Sequence, residues 1–118
     1  MVKNSGLSGP FPLTFDGIEA AVRRRAAGVF ALGSTDFAGR FSVQSVGRSD
    51  EDVKMRLREF IGSGTHFKFD YFSAERAAFE KECELFHDLQ PPGNRVHPGR
   101  PRGSTLKCPR CQIFARPW

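Results

Sequence analysis

Apolar positions are scattered without period through residues 1–15, where Gly6, Gly9, Pro10 and Pro12 interrupt the chain, and this stretch reads as an irregular lead-in. From residue 16 to 27 a run of Ala, Glu and Arg predicts a short helix with Asp16 as N-cap. The continuous apolar run of Gly28, Val29, Phe30, Ala31 and Leu32, closed by Gly33, predicts a buried strand. Turn residues at 34–39 lead into an alternating segment at 40–46, with Phe41, Val43 and Ser45 on one side and Ser42, Gln44 and Val46 on the other, so the two strands form a hairpin.

Ser49, Asp50, Glu51 and Asp52 open a second helix, because acidic side chains at a helix start complement its dipole. Val53, Leu57, Phe60 and Ile61 form one apolar stripe that ends at Gly62-Ser63-Gly64. Aromatic side chains recur with period two over 66–72 and predict a third strand. A last helix, with Ser73 as cap and Glu75 in its first turn, runs to about Leu89, burying Phe79, Cys83, Leu85 and Phe86 before Gln90-Pro91-Pro92-Gly93 stops it. The order β-β-α-β-α behind a leading helix predicts an α+β domain, a three-stranded, mainly antiparallel sheet flanked by helices. Three segments follow: a lead-in and short helix at 1–25, a domain at 26–89, and a Pro/Gly/Arg-rich arm with a CxxC turn at 90–118.

Charge changes the picture once the chain is divided. Residues 1–89 carry twelve basic and thirteen acidic side chains, whereas residues 90–118 carry six basic and no acidic ones, giving a net charge of +5. A basic arm on a neutral body suits a polyanion, since cations that neutralise phosphates release condensed counterions; a solubilising tail has the same composition. No window approaches the roughly 18 apolar residues of a membrane span, and the first residues lack the apolar core of a secretory signal. The expectation is a soluble cytoplasmic protein with no membrane partner.

Taken together, several short segments resemble a family. A strand opens on Gly28, Val29 and Phe30, a second closes on Ser45, Val46 and Gly47, and Arg48, Ser49 and Asp50 form the junction. A helix then bears Arg56, Leu57 and Arg58, and a later one places Ala78 four residues before Glu82. In this order and spacing residues 26–89 resemble the GIY-YIG nuclease domain, with Gly28, Phe30, Ser45 and Gly47 at the signature positions. The resemblance implies a divalent-metal-dependent endonuclease that hydrolyses phosphodiester bonds. It implies Glu82 as the carboxylate for Mg²⁺ or Mn²⁺ and Arg56 as the fork that meets a non-bridging phosphate oxygen. The partner implied is nucleic acid, DNA in the first instance.

The family's two tyrosines align with Phe30 and Ser45 here. Phenylalanine cannot relay a proton and serine is too short to reach the same point. Either another group serves as base, with His66 and Tyr71 as the candidates on the third strand, or the domain keeps the fold as a non-catalytic nucleic-acid-binding module. Outside the resemblance, Arg56 near Lys54 and Arg58 reads as a solvated helix face, and Glu82 between Glu80 and Glu84 as surface charge. Arg48 and the arm residues Arg95, Arg100, Arg102, Lys107 and Arg110 are the candidate phosphate contacts; such contacts position a partner without reading its sequence.

Three cysteines cannot all pair, and Cys108-Pro109-Arg110-Cys111 reads as half of a zinc site in a reducing compartment. Cys83 and His87, one helical turn apart, supply a second pair, so Cys83, His87, Cys108 and Cys111 predict a structural zinc site, with His97 a competing ligand. Lys107 and Arg110 favour the thiolates that such a site needs. A free, buried Cys83 and a zinc-stabilised protein-interaction module are the remaining readings.

Overall fold

A strand that is apolar on both sides must be covered twice, and this requirement organises the molecule. The computed structural model describes residues 5–114. The elements are β1 (Ser8–Pro12), α1 (Phe15–Ala21), β2 (Gly28–Thr35), β3 (Phe41–Ser49), α2 (Val53–Glu59), β4 (His66–Tyr71) and α3 (Glu75–Leu89). They form an α+β fold around one antiparallel sheet in the order β1-β4-β2-β3. Residues 1–4, on which the reading of the N-terminus partly rests, and residues 115–118 lie outside the described part. No helix among the described residues is long and apolar enough to cross a membrane.

Alternate residues of β2 face opposite layers. Phe30 and Leu32 join Phe67 and Phe69 of β4 beneath Ile18 of α1, Val22, and Val53 and Leu57 of α2. Val29 and Ala31 join Val46 of β3 beneath Ala78 and Leu85 of α3. Fully burying a side chain of this kind stabilises the fold by about 1.5–3 kcal/mol. The long apolar run at 28–32 was therefore a reliable sign of a central strand.

The sheet has four strands where the sequence predicts three. The extra one, β1, lies in the supposed lead-in and pairs with β4, Phe11 opposite Phe67 and Pro12 opposite His66. Proline is tolerated there because an edge strand has one row of amides that needs no partner strand. The first helix ends at Ala21 rather than 27, since Val22 turns extended and buries its side chain completely in the core. The Tyr71 hydroxyl then accepts hydrogen bonds from the amides of Arg23 and Arg24 at 2.8 and 3.1 Å. Tertiary packing overrides the helical propensity of that segment.

The caps also differ. Thr14, not Asp16, accepts from the Gly17 amide at 2.9 Å and opens α1. The cap of α3 is Ala74, which makes no side-chain bond, rather than Ser73. Asp52 does open α2, accepting from the Met55 amide at 3.2 Å, and Gln90 ends α3 in a left-handed conformation.

The hairpin is longer than predicted. Leu32 lies opposite Ser45 but Gly33 opposite Val43, so Gln44 is an extra residue that forms a β-bulge. The bulge reverses the phase of β3: Phe41 and Val43 share the α3 layer with Val46, while Ser45 and Gly47 fall opposite Leu32 and Phe30. Of the predicted α2 stripe, Val53 and Leu57 are buried and Phe60 half-buried, whereas Ile61 lies beyond the helix and is 44% exposed. Accordingly, Leu57→Ala is expected to destabilise the protein by about 2–5 kcal/mol, and Ile61→Ala by no more than about 0.5 kcal/mol, as read from urea unfolding.

Candidate functional site

The bulged end of β3 borders a cleft of about 600 Å³. Its wall includes Phe30, Ser45 and Gly47 from the hairpin, Arg48 at the end of β3, Arg56 from α2, Phe60, and Glu82 from α3. Gly93 and Asn94, which follow α3, close the remaining side. Both charged residues singled out by the resemblance thus line one cavity, with three of the four signature positions beside them. Gly28, the fourth, is buried at the start of β2 and is not among the lining residues.

Gly47 is required by close approach. A Cβ there would sit 2.5 Å from Cζ of Phe30, so any side chain would displace the ring that floors the cleft. Phe30 in turn packs against Phe60 with ring centroids 5.7 Å apart. The Arg56 guanidinium rests over Phe60 at 5.0 Å and pairs with Glu59 at 2.8 Å, remaining half-exposed. A cation held by an aromatic face and one carboxylate keeps donors for an anion.

Glu82 is buried, and its Oε1 accepts from Arg48 Nη1 at 2.6 Å. Arg48 is itself almost enclosed: it also pairs with Asp50 at 2.7 Å and lies 5.3 Å from the centroid of Phe79. Burial pushes the Glu82 carboxyl up to about 7; the charges of Arg48 and Arg56 pull against that shift. Glu82 is therefore not the surface charge that its place between Glu80 and Glu84 suggests, and Arg48 is an internal ion-pair partner.

The two candidate bases fall elsewhere. His66 begins β4 opposite Pro12 and Gly33, and its Nδ1 lies 2.8 Å from the Thr65 hydroxyl. Tyr71 faces the first core cluster, its hydroxyl engaged by the amides after α1 and its ring covered by Arg24 at 4.2 Å. Neither lines the cleft, because β2 separates β4 from β3. Among the lining residues Glu82 is the one carboxylate, and there is no histidine, tyrosine or lysine.

The arm is part of the fold. Gly93 donates its amide to Gln44 O at 2.6 Å, and the Asn94 side chain exchanges two hydrogen bonds with the Val46 backbone at 2.7 and 3.0 Å. Pro91, Pro98, Pro101 and Cys108 are buried. The five candidate phosphate contacts of the arm, Arg95, Arg100, Arg102, Lys107 and Arg110, are all exposed. Two of them also have partners: Arg110 pairs with Asp88, one of its contacts being 3.1 Å, and Arg100 lies over Phe114 at 4.5 Å while donating to its carbonyl.

Further along the arm, the side chains of His87, His97, Cys108 and Cys111 bring one ligand atom each within 4.8 Å of one another, a His₂Cys₂ set that could hold a metal such as zinc. His97 takes the place the sequence reading gave to Cys83. The Cys83 thiol points instead into the small cluster of Phe79 and Cys108, and burial together with Cys108 keeps it protonated. The i, i+4 spacing does bring both Cys83 and His87 to the CxxC turn, but Cys83 meets Cys108 within the apolar cluster with Phe79, whereas His87 joins the set of converging ligand atoms.

Compared with known proteins, the chain matches no family model, no curated protein and no solved structure.

Because Glu82 gains its proton more readily folded than unfolded, its contribution to stability is full below about pH 4.5 and is lost as pH rises through about 7. Glu82→Gln keeps an acceptor for Arg48 and removes this titration. Stability measured by chemical denaturation should decline across that window in the parent protein, and the variant should show a flatter profile.

Proposed function

We propose that the protein binds nucleic acid through this cleft as a GIY-YIG-like domain and hydrolyses a phosphodiester bond when a divalent cation joins Glu82. The observation that carries the reading is that Arg56 and Glu82, on different helices, line one cavity beside Phe30, Ser45 and Gly47. Arg56 supplies a planar cation for a non-bridging oxygen, where losing one such donor typically slows a reaction by about 10²–10³-fold. Arg48 fixes the orientation of the Glu82 carboxylate. Glu82 would be the single protein ligand of Mg²⁺ or Mn²⁺, ions that commonly take one or two carboxylates and fill their remaining positions with water and substrate phosphate. Bound there, the cation would supply Lewis-acid stabilisation of the phosphoryl group and of the departing oxygen. The exposed Arg95, Arg102 and Lys107 extend the contact along the backbone.

A second reading, a non-catalytic nucleic-acid-binding module, is favoured by the absence of a lining histidine or tyrosine. In hydrolysis the oxygen of water attacks phosphorus, the bond to the leaving oxygen breaks, and the proton of water needs an acceptor. Glu82 is the only carboxylate among the lining residues that can take it, so cleavage is expected to be slow relative to binding.

Supercoiled plasmid with Mg²⁺ or Mn²⁺ separates the readings. The parent should nick it, and Arg56→Ala and Glu82→Ala should each lower the rate by about 10²-fold or more. Equal cleavage by all three proteins, or by none, removes the hydrolase. In that second case retained DNA binding, with log affinity falling at a slope of about −2 to −3 against log salt for three phosphate contacts, leaves the binding module.

A further inference from the structure

The segment that walls the cleft is bounded by two histidines. His87 lies in the last turn of α3 and His97 ten residues later, and between them Gly93 and Asn94 cover the outer edge of β3. We propose that His87, His97, Cys108 and Cys111 form a tetrahedral zinc site that clamps this loop shut and thereby builds the wall of the cleft. This inference is independent of what the cleft binds.

The two distances around His97 fit the metal. Zinc bonds of about 2.0–2.1 Å to nitrogen and 2.3 Å to sulfur place tetrahedral ligands roughly 3.3 Å apart for two nitrogens and 3.5 Å for nitrogen and sulfur. His87 Nε2 and His97 Nε2 are 3.3 Å apart, and Cys111 Sγ lies 3.5 Å from His97 Nε2. His97 Nδ1 is 2.9 Å from Pro98 O, a contact that requires it to donate and leaves a lone pair on Nε2. Two side chains converge on that single lone pair, an arrangement that a central cation accounts for more simply than hydrogen bonding does. The same Nδ1 bond is the outer support that orients a zinc-bound histidine.

The sulfur side is equally prepared. The Arg110 amide donates to Cys108 Sγ at 3.3 Å, and the Arg110 guanidinium holds the turn to Asp88 on α3. Phe86 and Phe114 flank the His97 ring with centroids 5.2 and 5.5 Å away, limiting its rotation and the access of water. With both histidines on one ion, the loop between them is closed covalently in effect. Little entropy is then left to lose when Asn94 pairs with Val46. Gly93 suits the close approach, since a Cβ there would lie 2.7 Å from Gln44 O.

The full chain, purified without chelator, should contain one zinc per molecule. Cobalt in its place should give the visible spectrum of a tetrahedral ion with two thiolates. Cys83→Ala should retain the metal, and Cys108→Ser and Cys111→Ser should lose it. Amide hydrogen exchange read at Val46 and Gly93 should show protection in the zinc form that is lost on chelation. A folded chain free of metal, a three-thiolate cobalt spectrum with loss of metal in Cys83→Ala, or unchanged protection after chelation would each overturn the proposal. Because none of these readouts involves cleavage, they fail or succeed separately from the hydrolase.

Discussion

The ion pair between Arg48 and Glu82 joins the end of β3 to the middle of α3, and the rest of the cleft is arranged around it. Neither charge is tolerable alone in so dry a place, and taking one partner from such a pair typically costs about 3–5 kcal/mol. Asp50 and the face of Phe79 complete the surroundings of the guanidinium. The pair therefore fixes how α3 lies on the sheet and, by the same contact, sets a carboxyl of near-neutral pKa into a cavity lined by Arg56. Structure and candidate chemistry share one interaction.

The second constraint is the free edge of β3. An unpaired strand edge invites association with other chains, and here residues 93–94 cover it with three hydrogen bonds. Consequently the boundary expected at residue 90 is not a boundary in packing. The arm returns along the sheet, lines the cleft and contributes Leu106, Cys108, Cys111 and Phe114 to a cluster with Phe79 and Cys83 of α3. Two of its exposed cations, Arg110 and Arg100, also make contacts within the chain, on Asp88 and Phe114.

What the sequence disclosed follows from the range of the interactions involved. The strand at 28–32, the helix opened by Asp52 and the stop at Gln90 depend on neighbours a few residues away and were legible. The strand β1 was hidden because its prolines are acceptable only at an edge, and being an edge is a property of the whole sheet. The reversal of phase in β3 needed the bulge at Gln44, for which the alternation at 40–46 gives no warning. Arg56 and Glu82 were singled out by the order and spacing of the segments around them, but that they line one cleft is a property of the packed molecule. The burial of Arg48 and the displacement of His66 and Tyr71 required knowing that β2 lies between β3 and β4. The choice of His97 over Cys83 turned on the apolar cluster of Phe79 and Cys108 that takes up the Cys83 thiol. His97 was already legible as the competing ligand; the i, i+4 pairing of Cys83 with His87 does not decide between the two.

The central claim is that a divalent cation and a phosphodiester meet between Glu82 and Arg56. Paramagnetic broadening of amide resonances by Mn²⁺, recorded on the zinc-loaded protein with a short DNA duplex present, tests it most directly. Broadening centred on Glu82 and Arg48, with the Arg56 guanidinium resonance shifting on addition of DNA, is the result this account predicts. Broadening centred on other surface carboxylates, with Arg56 unmoved, would contradict it.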